Sequence, residues 1–104
     1  MSRQKEILES TINDIKETVD LFYQQKDTEA LKKFETVIGG MVNSMDALVE
    51  YRNDNESFEF DEVKISATLT DAMNALQDGD LVLLADILQY DFIEYMQELI
   101  DNME

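Results

Sequence analysis

Any chemistry in this 104-residue chain has to come from carboxylates: 24 Asp and Glu stand against 8 Lys and Arg, with no His, Cys, Pro or Trp. The missing types remove thiol nucleophiles, imidazole bases, His-based triads, disulfide frameworks and structural zinc sites. Carboxylates alone can bind hard cations, or share general acid and base work when buried side by side in a cleft. An EF-hand loop aligned on Asp78-Gly79 starts at Asn74, but Leu76 falls at its third position and Ala85 at its twelfth, so the ligand pattern fails. The stretch Asn53-Asp54-Asn55-Glu56 has ligand-type side chains without a turn glycine or a spaced terminal Glu, which allows casual divalent contact and no built site. Carboxylate-bridged di-iron bundles need Glu-x-x-His pairs and are excluded. Gly39-Gly40 is followed by no P-loop Lys and Ser/Thr, and the Lys32-Lys33 pair lacks the interleaved aromatics of a nucleic-acid surface. Most acids fall on outward faces of the expected helices. Asp91, at the edge of an apolar arc, reads as a rim residue that reaches solvent or bonds a tyrosine, with a raised-pKa acid as the remote alternative. The expectation is a non-enzyme with no catalytic, cofactor or metal residues.

The side chains that do stand out are apolar. On the last helical segment Leu83, Ile87 and Tyr90 form a patch opposite the main apolar arc, bordered by Asp86, Asp91 and Glu94. An apolar patch on an acidic helix marks a protein-binding surface when it is exposed. Here the three apolar residues would be anchors, and the three acids would supply steering and register. A third packing layer or a second copy of the chain would bury the same patch.

Four helical segments position these residues, at about 4–24, 28–51, 62–77 and 81–102, joined by a polar connector at 52–60. In the first, Leu8, Ile12, Ile15, Val19 and Phe22 repeat at spacings of four and three. Asp27 or Thr28 is the expected N-cap of the second, whose seam is Leu31, Phe34, Ile38, Met41, Met45 and Leu48. Gly39-Gly40 inside that seam costs about 1 kcal/mol per glycine, so it predicts either a kink or a close helix–helix or ligand approach. Phe58 and Phe60 cap one end of the core. Asp61 caps the third segment, with Ile65, Leu69, Ala72, Met73 and Leu76 inward, and Gly79-Asp80 ends it and starts the fourth. At 100° per residue Leu81, Leu84, Leu88, Phe92, Tyr95, Met96 and Leu99 share one arc, which Val82, Ile93 and Ile100 widen. Met41, Met45, Met73 and Met96 are expected as packing residues. The fold class is all-α, an antiparallel four-helix bundle in a single domain spanning 1–104.

Charge narrows the partners. Residues 1–52 carry seven bases and ten acids, whereas 53–104 carry one base, Lys64, and fourteen acids, part of a net −16 for the chain. Such a half repels phosphate, so neither nucleic acid nor an anionic membrane is expected as a partner. The longest apolar run, residues 81–85, is far short of a membrane span, and the N-terminus lacks a secretory h-region. A cytoplasmic location is the default. The leading expectation is a binding module, chaperone- or adaptor-like, that holds a basic or amphipathic partner helix on the patch. A structural homo-oligomer, most simply a dimer, that uses the patch on itself is the alternative, followed by an acidic decoy of nucleic acid.

The stretch Asp80-Leu81-Val82-Leu83-Leu84-Ala85-Asp86-Ile87-Leu88-Gln89-Tyr90-Asp91 resembles a signature of small acidic helical proteins from low-GC Gram-positive bacteria. That resemblance implies a functionally uncharacterised family and brings over no catalytic residue. The overall build is similar to flagellar and type III export chaperones in architecture only.

Overall fold

Leu8, Ile12, Ile15, Val19 and Phe22 are all buried on one stripe of α1 (Arg3–Tyr23) in the computed structural model, which describes residues 3–103. The chain then reverses in three residues. The Gln25 N–H reaches the Phe22 carbonyl and the Lys26 N–H reaches that of Leu21, with Gln25 at φ +61°. This is the Schellman arrangement with a non-glycine residue in its left-handed position. It fixes the exit direction so closely that α2 (Asp27–Asp54) starts one residue earlier than expected, with Lys26 at the cap. Neither Asp27 nor Thr28 caps it; Asp27 and Glu29 instead lie in the first turn, where the helix dipole favours acids.

α2 runs unbroken through Gly39-Gly40. At Gly40 α1 and α2 approach closely: a Cβ there would lie 3.3 Å from the Thr11 hydroxyl oxygen, and that hydroxyl donates to the Gly40 carbonyl. Gly39 faces open space. Close approach therefore accounts for one glycine of the pair. α2 also continues three residues past its expected end, because Asn55 closes it from outside, its side chain donating to the Tyr51 carbonyl and its N–H to that of Arg52. Phe58 is buried edge-on against Tyr51, with ring centroids 4.8 Å apart, and Phe60 packs beside it beneath the Arg52 guanidinium, so the two phenylalanines close one end of the core as expected.

α3 (Glu62–Gln77) begins at Asp61, whose carboxylate accepts from the Lys64 N–H. It ends in a second Schellman turn at Gly79, φ +72°. Asp80 then caps α4 (Leu81–Asp86) by accepting from the Leu83 N–H. A π-helical stretch, Ile87–Ile93, follows, and α5 (Glu94–Asp101) completes the fourth rod. The helix expected over about 81–102 is thus present, with π rather than α geometry in its middle third.

Thr11–Gly40 and Glu17–Lys33 contacts show α1 and α2 antiparallel. The fourth rod runs antiparallel to α3 after the tight Gly79 turn, and it packs on α1 as well. The result is an all-α, up-down-up-down bundle whose 41 Å long axis matches α2, 28 residues at about 1.5 Å each. α2 and α3 make no comparable packing with each other. Along their seam Leu31, Ile38, Met45 and Leu69 are only half-buried, and Met73, expected in the core, is exposed. Met41 and Met96 are core residues as expected.

Candidate functional site

The fourth rod does not present Leu83, Ile87 and Tyr90 as one patch. Ile87 is a core residue, 7% exposed, whereas Leu83 and Tyr90 are 46% and 61% exposed. The π turn is the reason. Hydrogen bonds from i to i+5 stack Ile87 over Phe92 and Leu88 over Ile93, pairs that an α-helix would hold about 140° apart. All four are buried together. Val82, which the helical wheel placed on the core arc, is exposed.

The remaining residues divide between two neighbours. Toward α3, Leu83, Ile87 and Asp91 line an open groove of about 390 Å³ with Asp71, Asn74, Ala75 and Asp78. Its floor is apolar, from Ala75, Leu83 and Ile87, and its lining holds three carboxylates and no base. Asp71, Asn74 and Asp78 recur at helical spacing down α3 to its C-cap, as Leu83, Ile87 and Asp91 do along the rod, so the α3 wall is mainly polar and the rod wall mainly apolar. The base nearest in sequence, Lys64, is engaged at the other end of α3, its ammonium 4.3 Å from the centre of the Tyr95 ring. Tyr95 also accepts from the Asp61 N–H, which ties the start of α3 to α5.

Toward α1, Asp86 accepts a 2.6 Å hydrogen bond from the Tyr23 hydroxyl. That bond, with burial and the charge of Asp86 adding to it and Tyr90 contributing last, pushes the Tyr23 pKa up to about 12. It is Asp86, not Asp91, that bonds a tyrosine. Val82, one turn before Asp86, and Tyr90, one turn after it, leave an exposed aromatic and aliphatic border around this pair. Glu94 is exposed one turn further on.

Two other concavities have less to offer. The α2–α3 seam encloses about 220 Å³ lined only by apolar side chains, among them Phe34, Met41, Val42 and Met73. No charged side chain lines it, so it carries no charge preference. A shallow polar depression lies over Gly39 and Gly40 between α1 and α2. Among the described residues no group of three or more acidic side chains converges in a way that could hold a metal ion, and no helix is long and apolar enough to cross a membrane.

A family model described as a domain of unknown function, DUF8042, matches residues 1–102. The chain belongs to this family. The match extends far beyond the 80–91 signature and takes in all four rods. No curated protein and no solved structure matches the chain significantly.

In this DUF8042 chain the α3 groove combines exposed apolar surface with carboxylates. It can desolvate aliphatic groups on its floor while neutralising cationic ones at its rim. Of the residues singled out from the sequence, Leu83, Ile87 and Asp91 line this groove, and Asp71 and Asp78, which also line it, were not singled out. The stripe of Asp71, Asn74, Ala75 and Asp78, spaced three, four and seven residues from its start, was the available signal. Tyr23 carried none, since its contact with Asp86 spans 63 positions of sequence.

Proposed function

We propose that this protein is a non-enzymatic binding module, chaperone- or adaptor-like, that works in the cytoplasm and holds a partner protein on the groove between α3 and the fourth rod. The observation that carries the reading is Leu83: a large apolar side chain nearly half exposed, in a groove that it lines with Ala75 and Ile87 and with the carboxylates of Asp71, Asp78 and Asp91. A side chain in that setting gains by being covered, and the acids around it restrict what covers it. The anchors are Leu83 and the exposed edge of Ile87, with Asp91 and Asp86 on either side of the rod; Tyr90 and Glu94 lie on the adjoining face.

The test is affinity capture from a cell lysate with wild type and with Leu83→Ser, the variant first shown to be folded by circular dichroism. A protein retained by wild type and lost from Leu83→Ser is the expected result. Equal capture by both, or none, rules the groove out as a partner site. The second reading, a homodimer, is favoured by the exposed Tyr23, Val82 and Tyr90 border, which a second copy could cover. Light scattering decides it: a dimer mass that falls on dilution, and that Tyr90→Ser abolishes, would establish self-association. An acidic decoy would bind a basic protein with steep salt dependence and indifference to Leu83→Ser.

A further inference from the structure

The lining of the groove, more than its size, selects the occupant. Its apolar strip is narrow and is bordered on the α3 side by Asp71 and Asp78 and on the rod side by Asp91. A wholly apolar helix laid there would bring three carboxylates against hydrocarbon with nothing to neutralise them, and desolvating charge without a partner is costly. A long basic side chain fits both parts. Its methylene stem covers Ala75, Leu83 and Ile87 while its cationic head reaches the rim, the way Lys and Arg cover apolar surface elsewhere. Arginine fits best, because its planar fork can bond a carboxylate and an Asn74 carbonyl oxygen together.

We infer that the groove is a docking site for an amphipathic helix of another protein that carries arginine or lysine, interleaved with leucine-type residues, on one face. This rests on the binding-module reading above and adds the chemistry of the partner. A third helix is the shape that fits, since the groove runs between two antiparallel rods and its groups repeat at helical spacing on both walls. Metal ions are poor rivals because the carboxylates do not converge on a point. A second copy of this chain is a poor rival too. Its own half from residue 53 onward holds one base against fourteen acids, and that base is already over Tyr95. In the other half ten acids outnumber seven bases, and two of those bases are already engaged, Lys33 with Glu17 and Arg52 with Glu62.

The experiment uses the full chain and three labelled helical peptides that share leucines at helical spacing and differ only in carrying arginine, glutamine or glutamate between them. Affinity is read by fluorescence anisotropy and location by NMR shifts of the Leu83 and Ile87 methyl groups. The arginine peptide should bind and shift both methyl groups, with the glutamine peptide weaker by about tenfold or more and the glutamate peptide silent. Replacing Asp71, Asp78 and Asp91 together by Asn should cost the arginine peptide a similar factor while leaving the circular dichroism spectrum unchanged. Equal affinity for the arginine and glutamine peptides overturns the basic occupant and leaves an apolar docking site. Arginine-peptide binding that ignores the Asp→Asn changes overturns the placement. If no peptide binds while wild type still captures a lysate protein that Leu83→Ser loses, this inference falls and the binding module stands; if both fail, both fall.

Discussion

Leu83 and Ile87 are one turn apart on the same rod, yet one faces water and the other the core. Truncating each should separate the two roles. Ile87→Ala removes buried methyl groups beside Leu88 and Phe92 and is expected to cost about 2–4 kcal/mol in urea unfolding. Leu83→Ala should cost under about 1 kcal/mol, because much of its side chain is already hydrated. Equal costs would mean that Ile87 is not a core residue. Tyr23 offers a second test at this scale. Its pKa, raised to about 12 by the bond to Asp86, means the folded state holds the phenolic proton more tightly than the unfolded chain, where the usual value near 10 applies. The contribution of the bond is therefore complete below pH 10 and is lost as pH rises through about 12. In an ultraviolet titration of tyrosinate, the ionisation of Tyr23 should come late, near pH 12. Asp86→Asn should return that tyrosine to the normal range. An unchanged titration in the variant would assign the shift to something other than the Asp86 carboxylate.

Among the elements, α2 carries the clearest internal contrast. Gly39 and Gly40 are adjacent, both helical, and equally poor helix formers, but only Gly40 lies against α1. Gly39→Ala should stabilise the protein by about 1 kcal/mol through helix propensity alone. Gly40→Ala has the same propensity gain to set against displacing Thr11, whose hydroxyl bonds the Gly40 carbonyl, and should come out clearly less stable than Gly39→Ala in thermal melts. If the two variants melt together, the Thr11 contact is not tight enough to matter. The same element shows what a sequence can reveal. Helical periodicity was enough to find all four rods, and an acid before the apolar run located the caps at Asp61 and Asp80, though not at Asp27, because those signals are local. The π turn was invisible: a helical wheel assumes 100° per residue, and that assumption itself placed Ile87 about 140° from Phe92. Nor could spacing show that Leu31, Ile38 and Met45 would stay half-covered, since small residues on the next face of α2, Ala30, Gly40, Ser44 and Ala47, draw it toward α1. The candidate groove was half legible for a related reason: one wall is a pattern along the fourth rod, whereas its neighbour across the gap is decided only by tertiary packing.

Across the whole molecule, charge works in two directions. The net charge of −16 is concentrated after residue 52, and α3, α4 and α5 hold their acids within one half of a small bundle. Self-repulsion of this kind weakens the compact state, and the Lys33–Glu17 and Arg52–Glu62 pairs lie outside the groove where the acids gather. Moving from about 0.01 M to 1 M salt shortens the screening length from roughly 30 Å to 3 Å, so the folded protein should melt several degrees higher in the stronger salt. A basic helix in the α3 groove is held partly by those same acids, so its affinity should fall over the same range. Stability and binding are thus expected to change in opposite senses with one variable. Replacing Asp71, Asp78 and Asp91 by Asn should flatten both trends together, raising the low-salt melting temperature while removing most of the salt dependence of binding. Parallel melts and binding isotherms across the salt series check this. Binding that strengthens with salt would show that apolar contact alone holds the partner, and melting that is indifferent to salt would show that the acids are spread too widely to oppose folding.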